Sequence, residues 1–443
     1  MPISLVPTPT QAYRMHRKIE QHIVEPGVPA APLPVPVPPP LPGSRILMWK
    51  QDPSVEEVQV RKGFLPGHLF PGPRDARLTN GSGMDGLPAV SPNLMSDFIQ
   101  TPGTQAFDVV HTFAVVRETL TMYQRALSNP CPWQWNNSSN VEALSIYPRG
   151  LPDVMNAYYS RQERALRFGD FVQPGTTPPI HVYTCRSFDI VAHEAGHAIL
   201  DGLKPAWLAF SSPPQTGGLH ESFGDLTAIF LALSQLDQVE SVIAQTKANL
   251  HDKTFLADLA EQFGLALGRP NGLRNADNDL KLSEVGNEVH ALSQVFTGAI
   301  YDILADIFRF EQRPIQLDDA MVLYEVGRYL CSLVARAFKA APNSAATYAD
   351  VANQMLLITA ADGKPVQYRN FIRNRFVVRE VVVSPTPLNQ NHVAGQTLAP
   401  YIQDPVGALQ DCRSCCGTMC HYEYSGAEHV MWAELEELKK ARD

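Results

Sequence analysis

Two histidines stand four residues apart in the segment 190–201, which reads IVAHEAGHAILD. Residues four apart in a helix lie on one face, so His193 and His197 can present both imidazoles to one zinc ion. Glu194 lies about 100° around the helix from His193, close enough to reach a water on that ion and take its proton as the water attacks a carbonyl. The segment therefore predicts a zinc hydrolase active site. The alternative is a chance match in a helix with a polar patch.

A third ligand is offered by the segment 217–230, which reads GGLHESFGDLTAIF. Glu221 would complete a set of two histidines and one carboxylate that leaves a fourth position for water. Asp225, one helical turn further on the same face, could hold a ligand histidine by its other ring nitrogen. Glu221 could instead be an exposed acid near a helix start. His220 is a rival ligand, but it would point elsewhere on the helix.

Composition limits the partners that such a site can serve. The formal net charge of the 443 residues is -9, which argues against a nucleic-acid partner. No apolar run approaches the roughly 18 to 20 residues that cross a bilayer, so no membrane partner is expected. The first 21 residues show no basic segment leading into an apolar stretch, so no signal peptide is visible. We expect a protein that is cytoplasmic or exported by a route that the sequence does not reveal.

The order of elements that must position these residues predicts an α+β fold in two domains. Short strands and loops are expected up to about residue 105 and again from 143 to 182, with one helix over 106–127 between them. The histidine helix begins after Ser187 as its N-cap and ends near Gly202. Mostly helical segments follow up to about residue 380, and one of them covers 253–268.

Four regions follow from this pattern. Residues 1–45 form an arm or linker, because the proline-rich run 27–43 lacks the amide donors for helix or sheet. A strand-rich domain over 46–203 ends in the histidine helix, and a mainly helical domain covers 204–384. A cysteine-containing tail covers 385–443.

The zinc motif together with Glu221 and Asp225 resembles the thermolysin-like metallopeptidases of the gluzincin clan, whose signature is HExxH followed by ExxxD on a later helix. The resemblance covers roughly residues 105–380. It implies a two-domain α+β fold with the active-site helix between a strand-rich and a helical half. It also implies an endopeptidase that acts on peptides or proteins through one catalytic zinc ion. Asp189, four residues before His193, also fits the helix of that family.

Further stretches are similar to family segments in the expected order. The resemblance implies that Asn156, Ala157 and Tyr158 form an edge that binds the substrate backbone. It implies that Arg274 binds a substrate carbonyl and that His290 stabilises the oxyanion. Each has a simpler alternative: Asn156 as a turn residue, Arg274 as the partner of a nearby aspartate, and His290 as an ordinary histidine at a helix start.

The sequence departs from the family at three places. No tyrosine stands between His197 and Glu221, where the family has a second oxyanion donor. The acid that orients the oxyanion histidine is not evident, and only Glu284 or Glu288 could replace it. Paired calcium ions have no support, because Ala232 stands eleven residues after Glu221 in place of a bridging acid. These departures leave two rival functions open: a zinc-stabilised binding module with weak or no turnover, and an exopeptidase or self-processing enzyme.

The tail contains a second set of candidate ligands in the segment 412–424, CRSCCGTMCHYEY. Cys412, Cys415, Cys416 and Cys420, with His421 next to them, could close a structural thiolate zinc site without long loops. The alternatives are a pair of disulfides in an oxidising compartment and a set of free thiols.

For the tail we expect that replacing Cys412 and Cys415 together by serine lowers the zinc bound per chain, because a thiolate site loses two ligands. Metal content measured on dialysed protein tests this. A double variant that binds as much zinc as the parent would refute a second site.

Overall fold

The computed structural model describes residues 43–209 and 212–383, and the backbone of residues 399–400. The chain has the α+β fold that the sequence predicts, with a strand-rich N-terminal half and a helical C-terminal half. Most of the arm predicted for residues 1–45 and of the tail predicted for 385–443, including all four tail cysteines, lies outside the described residues.

The strands are β1 (Gly43–Trp49), β2 (Val60–Pro66), β3 (Leu78–Asn80), β4 (Leu144–Leu151), β5 (Ala157–Ser160), β6 (Ala165–Val172), β7 (His181–Tyr183), β8 (Asp258–Leu259), β9 (Arg274–Asn275), β10 (Val382–Val383) and β11 (Ala399–Pro400). The α-helices are α1 (Gln105–Leu127), α2 (Phe188–Leu203), α3 (Pro214–Leu233), α4 (Leu236–Thr246), α5 (Glu261–Ala266), α6 (Val289–Glu311), α7 (Asp319–Ala340), α8 (Tyr348–Ala361) and α9 (Val366–Val378). Two 3-10 turns, Thr184–Arg186 and Pro205–Leu208, flank α2.

One five-stranded sheet supports the histidine helix from the N-terminal half. Its order is β3-β4-β6-β5, and β7 also pairs with β6. The β3/β4 and β4/β6 pairs are parallel, whereas β5 and β7 run antiparallel to β6. Tyr158 of β5 lies opposite Arg167 of β6. Among the described strands β5 pairs only with β6, so its other edge is not used within the sheet.

Local sequence explains where the central helices begin. The side chain of Ser187 accepts a hydrogen bond from the backbone of Ile190, as predicted for the N-cap of α2. In α1 the side chain of Thr104 accepts from the backbone of Phe107. Such caps satisfy amides that the first helical turn leaves without a partner.

A single hydrophobic cluster includes residues from both predicted domains, such as Leu166 and Ala195 from the first and Phe223 and Phe296 from the second. The helices α2 and α3 pack together at its centre, and α6 packs against α3. The α6 helix is apolar and long enough to cross a bilayer, but 83% of the window that passes this test is buried inside the protein. It is therefore placed as a core helix.

The prediction of one helix over residues 253–268 is wrong. Only Glu261–Ala266 is helical there, and the preceding residues Asp258–Leu259 form β8, which pairs with β9. Ala260 between them has a φ of 53°, which a continuous right-handed helix does not allow. The apolar residues of this segment divide between two hydrophobic clusters. Phe255, Leu256, Ala257 and Leu259 belong to the main cluster, whereas Ala260, Phe263 and Leu267 belong to a smaller one.

Arg379 stabilises the loop that leads from β9 to α6 through hydrogen bonds and an ion pair. Its guanidinium is 2% exposed and donates to Asp302 at 2.9 Å, and to the side chain of Asn278 and the backbone oxygen of Leu280 at 3.0 Å. A Cβ on Gly298 of α6 would lie 2.7 Å from this guanidinium, so only glycine admits it. The arginine thus fixes the connection between two elements that carry site residues.

We expect Arg379→Met to lower the free energy of unfolding by about 3 to 5 kcal/mol, because it removes the main partner of the buried Asp302 carboxylate. Arg375, whose Nη1 lies 3.6 Å from Asp302, would compensate in part. Urea unfolding measures the change. The control is Arg328→Met, which breaks a pair with Glu325 that is 69% and 52% exposed and should cost under about 1 kcal/mol. Equal losses in the two variants would contradict the argument.

Candidate metal centre

The centre forms where α2 and α3 cross at close range. A Cβ on Gly224 of α3 would lie 2.6 Å from Cε1 and Nδ1 of His193, and a Cβ on Gly196 of α2 would lie 2.5 Å from Oγ1 of Thr227. Real Cβ atoms do not approach other atoms so closely. These two glycines therefore permit the approach that places a histidine of α2 against the backbone of α3.

The crossing brings the three predicted ligands together. One ligand atom from each of His193, His197 and Glu221 lies within 4.8 Å of the other two. Nε2 of His193 is 3.5 Å from Oε2 of Glu221, and Nε2 of His197 is 3.7 Å from Oε1. Glu221 is fully buried in the middle of α3, not exposed near a helix start. The three residues could hold one metal ion between the helices.

Glu221 is ionised despite its burial. Burial by itself would raise its pKa, but the imidazoles of His290, His197 and His193 hold the pKa well below its usual range. Burial would likewise lower the pKa of His193, whereas hydrogen bonds to Asp225 and Glu221 raise it to about 10. The carboxylates that hold a proton on this imidazole would also stabilise a divalent cation beside it.

Asp225 joins the metal-ligand set to Arg274. Its Oδ1 lies 3.0 Å from Nδ1 of His193 and accepts from Nη2 of Arg274 at 2.7 Å. Ser293 of α6 also donates to its Oδ2, at 3.4 Å. Burial opposes ionisation of Asp225, but the charge of Arg274 and the bond from His193 lower its pKa. Arg274 thus pairs with an aspartate, as its simpler alternative proposed, and also lies at the site.

His197 has a different partner from that of His193. Its Nδ1 lies 2.8 Å from Nδ1 of His220, and the two rings stack with centroids 4.8 Å apart. Both side chains are fully buried. Burial lowers the pKa of His220 to about 3, so its ring is neutral. His220 therefore contacts a ligand imidazole and is not one of the three clustered ligands.

Glu194 faces a small cavity beside the ligands. The cavity has a volume of about 40 Å³. Its polar lining comes from Asn156, Thr184, Asp189, His193, Glu194, Asp225 and Arg274, and its other lining from Ala157, Ile190, Ala228, Leu259, Ala260, Phe263 and Leu273. Glu194 is 2% exposed, so its carboxylate is largely shielded from bulk water.

Asn156 and Ala157 lie at the start of β5 in the wall of this cavity. Oδ1 of Asn156 accepts from the backbone of Ala157 at 2.8 Å. Its Nδ2 is buried and has no hydrogen-bond partner among the described residues. Tyr158 does not line the cavity, and its hydroxyl donates to Glu163 at 3.1 Å. Of the three residues predicted to form the substrate-binding edge, Asn156 and Ala157 therefore lie at the site and Tyr158 does not line it.

Asp189 lies in the cavity wall, but it does not hold a ligand histidine. Its Oδ2 accepts from the backbone of Ala260 at 3.3 Å. Burial, with the charge of Asp52 added, raises the pKa of Asp189 to about 8. We therefore place Asp189 as a residue that fixes the segment after β8 against α2.

His290 comes to the metal ligands from α6. Its Nε2 lies 3.3 Å from Oε2 of Glu221, and its Nδ1 lies 2.5 Å from Oε1 of Glu288. Glu288 is also the N-cap of α6 and accepts from the backbone of His290 and Ala291. Of the two acids that the sequence offered as partners, the structure thus selects Glu288 over Glu284.

The apolar wall of the cavity was missed from the sequence. Leu259, Ala260 and Phe263 belong to the segment predicted as one helix, and as a helix they would not have converged on Glu194. Ser293 was missed as well, since a serine three residues after a histidine in a helix is common. No local signal indicates the contact of Ser293 with Asp225, because the two residues are 68 positions apart in the chain.

A second group that could hold a metal consists of His251, Asp277 and Asp302. His251 is 44% exposed and Asp302 is paired with Arg379 and Arg375, which already neutralise the carboxylate. A larger groove of about 1270 Å³, between β2, α1 and α7, shares no lining residue with the metal centre. Neither feature adds a ligand to the centre.

Comparisons with known proteins give no family and only distant likeness to solved structures. A scan against protein-family models found no match, and a search of curated proteins found none either. Among solved structures, the precursor of protealysin, a metalloproteinase from Serratia proteamaculans, is 16% identical with a TM-score of 0.41. The match covers 65% of this chain and 84% of that one. The functional interpretation therefore depends on the side chains of the centre.

We expect Gly224→Ala to weaken metal binding roughly 10- to 100-fold, because the added methyl group must displace the His193 ring from its ligand position. Zinc titration against a chromophoric chelator measures the affinity. Gly286→Ala is the matched control, since no atom lies within 4 Å of its Cβ position. An unchanged affinity in Gly224→Ala would show that His193 is not held by this contact.

Proposed function

We propose that the chain is a zinc-dependent endopeptidase, with His193, His197 and Glu221 as ligands. The observation that carries the proposal is the convergence of these three residues beside the buried carboxylate of Glu194. Two imidazoles and one carboxylate form a donor set typical of catalytic zinc. Nε2 of His193 lies 3.5 Å from Oε2 of Glu221, and Nε2 of His197 lies 3.7 Å from Oε1, so both imidazoles face the carboxylate from the same space.

A buried atom without a partner supports the same donor set. Nε2 of His197 is buried and has no hydrogen-bond partner among the described residues. The nearest acid, Glu221, lies beyond hydrogen-bonding distance at 3.7 Å. A cation between them would give Nε2 of His197 a partner, and a buried polar atom without one costs about 1 to 3 kcal/mol.

Zinc held there would polarise the scissile carbonyl and lower the pKa of a bound water to about 7. Glu194 accepts the proton of the attacking water on its carboxylate and delivers it to the departing amine. His290, oriented by Glu288 through Nδ1, would donate from Nε2 to the carbonyl oxygen as negative charge develops there. Removal of bulk water from the space around Glu194 strengthens each of these interactions.

The residues around the cavity orient a peptide. Nδ2 of Asn156 is placed to donate to a backbone carbonyl of the substrate, and the unused edge of β5 can pair with an extended chain. Asp225 holds the guanidinium of Arg274 at the opposite wall, where a second carbonyl can bind. The apolar lining, with Ile190 and Phe263, favours a small apolar side chain next to the scissile bond.

A specific observation favours a second candidate function, a zinc-stabilised binding module with weak or no turnover. No tyrosine lines the cavity among the described residues, so His290 is the one oxyanion donor that we assign from a side chain. Casein hydrolysis and metal content, measured on one preparation with and without a chelator, separate the two functions. Peptides with blocked termini separate an endopeptidase from an exopeptidase, because an exopeptidase requires a free terminus.

We expect Glu194→Gln to retain zinc and to lose at least about 100-fold in kcat, because an amide cannot accept the water's proton. Both imidazoles stay in place, so the zinc content should equal that of the parent. Glu240→Gln, an exposed position on α4, is the control for the same chemical change. A Glu194 variant that keeps most of its hydrolytic rate would remove the general-base assignment.

We expect His290→Ala to lower kcat by roughly 100- to 1,000-fold with a much smaller change in KM, because its bond strengthens only as the oxyanion forms. Steady-state kinetics on a peptide with blocked termini give both constants. His251→Ala serves as the control, since that histidine is 44% exposed. A change confined to KM would make His290 a binding residue.

A further inference from the structure

The contact between His197 and His220 restricts where each ring carries its proton. The Nδ1 atoms lie 2.8 Å apart, and two neutral imidazoles bond through one pair of nitrogens only if one donates and the other accepts. Both side chains are fully buried, and burial lowers the pKa of each imidazole. The pair therefore has two arrangements, which differ in the direction of this hydrogen bond.

In the first arrangement His220 donates from Nδ1, and His197 carries its own proton on Nε2, facing Glu221. In the second arrangement His197 donates from Nδ1, and its Nε2 has a lone pair that faces Glu221. His220 then carries its proton on Nε2. The number of protons is the same in both arrangements. Only the second leaves a nitrogen of His197 that can bind a cation.

We propose that His220 is a positioning residue that sets the tautomer of His197, and that metal binding converts the pair from the first arrangement to the second. The bridging proton passes from Nδ1 of His220 to Nδ1 of His197. The proton on Nε2 of His197 leaves, and Nε2 of His220 gains one, so the pair neither takes up nor releases a proton overall. This inference rests on the metal site of the proposed function.

The partner chosen by each ligand supports this assignment. His193 presents Nδ1 to a carboxylate, which can only accept, so its tautomer is determined by Asp225. His197 presents Nδ1 to a group that can donate or accept. Nε2 of His220 is buried without a hydrogen-bond partner among the described residues, so the metal-binding arrangement leaves its N–H unsatisfied. A group at position 220 that accepts from Nδ1 of His197 without carrying an N–H of its own would therefore support metal binding at least as well.

The test combines affinity with direct observation of the protons. His220→Phe keeps a flat ring but removes the acceptor, and zinc affinity should fall roughly 10- to 100-fold. His220→Asn supplies a carbonyl oxygen that accepts from Nδ1 of His197, and its affinity should equal or exceed that of the parent. His68→Phe, at an exposed position outside both groups that could hold a metal, is the matched control for loss of a histidine. If His220→Phe does not fold, the zinc affinity of His220→Asn and the NMR spectra of the parent protein still test the proposal.

Nitrogen-15 NMR of histidine-labelled protein reports which ring nitrogen is protonated. We expect His220 to be protonated on Nδ1 before zinc is added and on Nε2 when zinc is bound. A zinc-loaded protein with His220 protonated on Nδ1, or His220→Phe with the affinity of His68→Phe, would overturn the inference. Zinc binding with this tautomer change but without peptide hydrolysis would overturn the endopeptidase function alone. A parent protein that binds no zinc would overturn both.

Discussion

A fully buried carboxylate, that of Glu221, is kept ionised by three imidazoles that reach it from two other helices. An unpaired carboxylate in this position would cost several kcal/mol in lost hydration. His193 and His197 approach it from α2, and His290 approaches it from α6. The positions of the three central helices and the ionised state of Glu221 therefore depend on each other. A shift of any one helix would separate Glu221 from at least one of these imidazoles.

This constraint explains why small residues line the crossing. The helices α2 and α3 approach so closely that glycine is required at positions 196 and 224, where any larger side chain would occupy the space of Thr227 or His193. The glycines lower the intrinsic helix propensity of both segments. Burial of the apolar faces around them offsets that loss, because the surrounding alanine, leucine and phenylalanine residues belong to the same core.

The polar residues around the ligands form two chains of contacts with different consequences. Asp225 is an obligate acceptor, so the contacts from His193 through Asp225 to Arg274 have one direction. The contact between His197 and His220 has no fixed direction, because both groups can donate or accept. In the proposed zinc site, Asp225 therefore fixes the direction of the first chain, whereas the direction of the second chain can change. The deep burial of both chains keeps water from competing with these bonds.

The sequence by itself determined the features that depend on short separations along one helix. Four residues between His193 and His197 place both rings on one face, and Ser187 begins that helix, whatever surrounds it. The alternation of strand-like and helical segments likewise predicted the α+β class. The family resemblance predicted that Asn156, Arg274 and His290 lie at the site, and the structure has all three next to the metal ligands or in the cavity wall.

Only the tertiary structure decided which polar groups meet across elements. The contact between His197 and His220, the choice of Glu288 over Glu284, and the placement of Asp189 against Ala260 depend on how α2, α3 and α6 cross. The apolar cavity wall depends on the left-handed backbone of Ala260, which interrupts the helix that periodicity predicted. Periodicity reports that a face is buried, but the neighbours of that face come from segments tens of residues away, and their identity is set by packing.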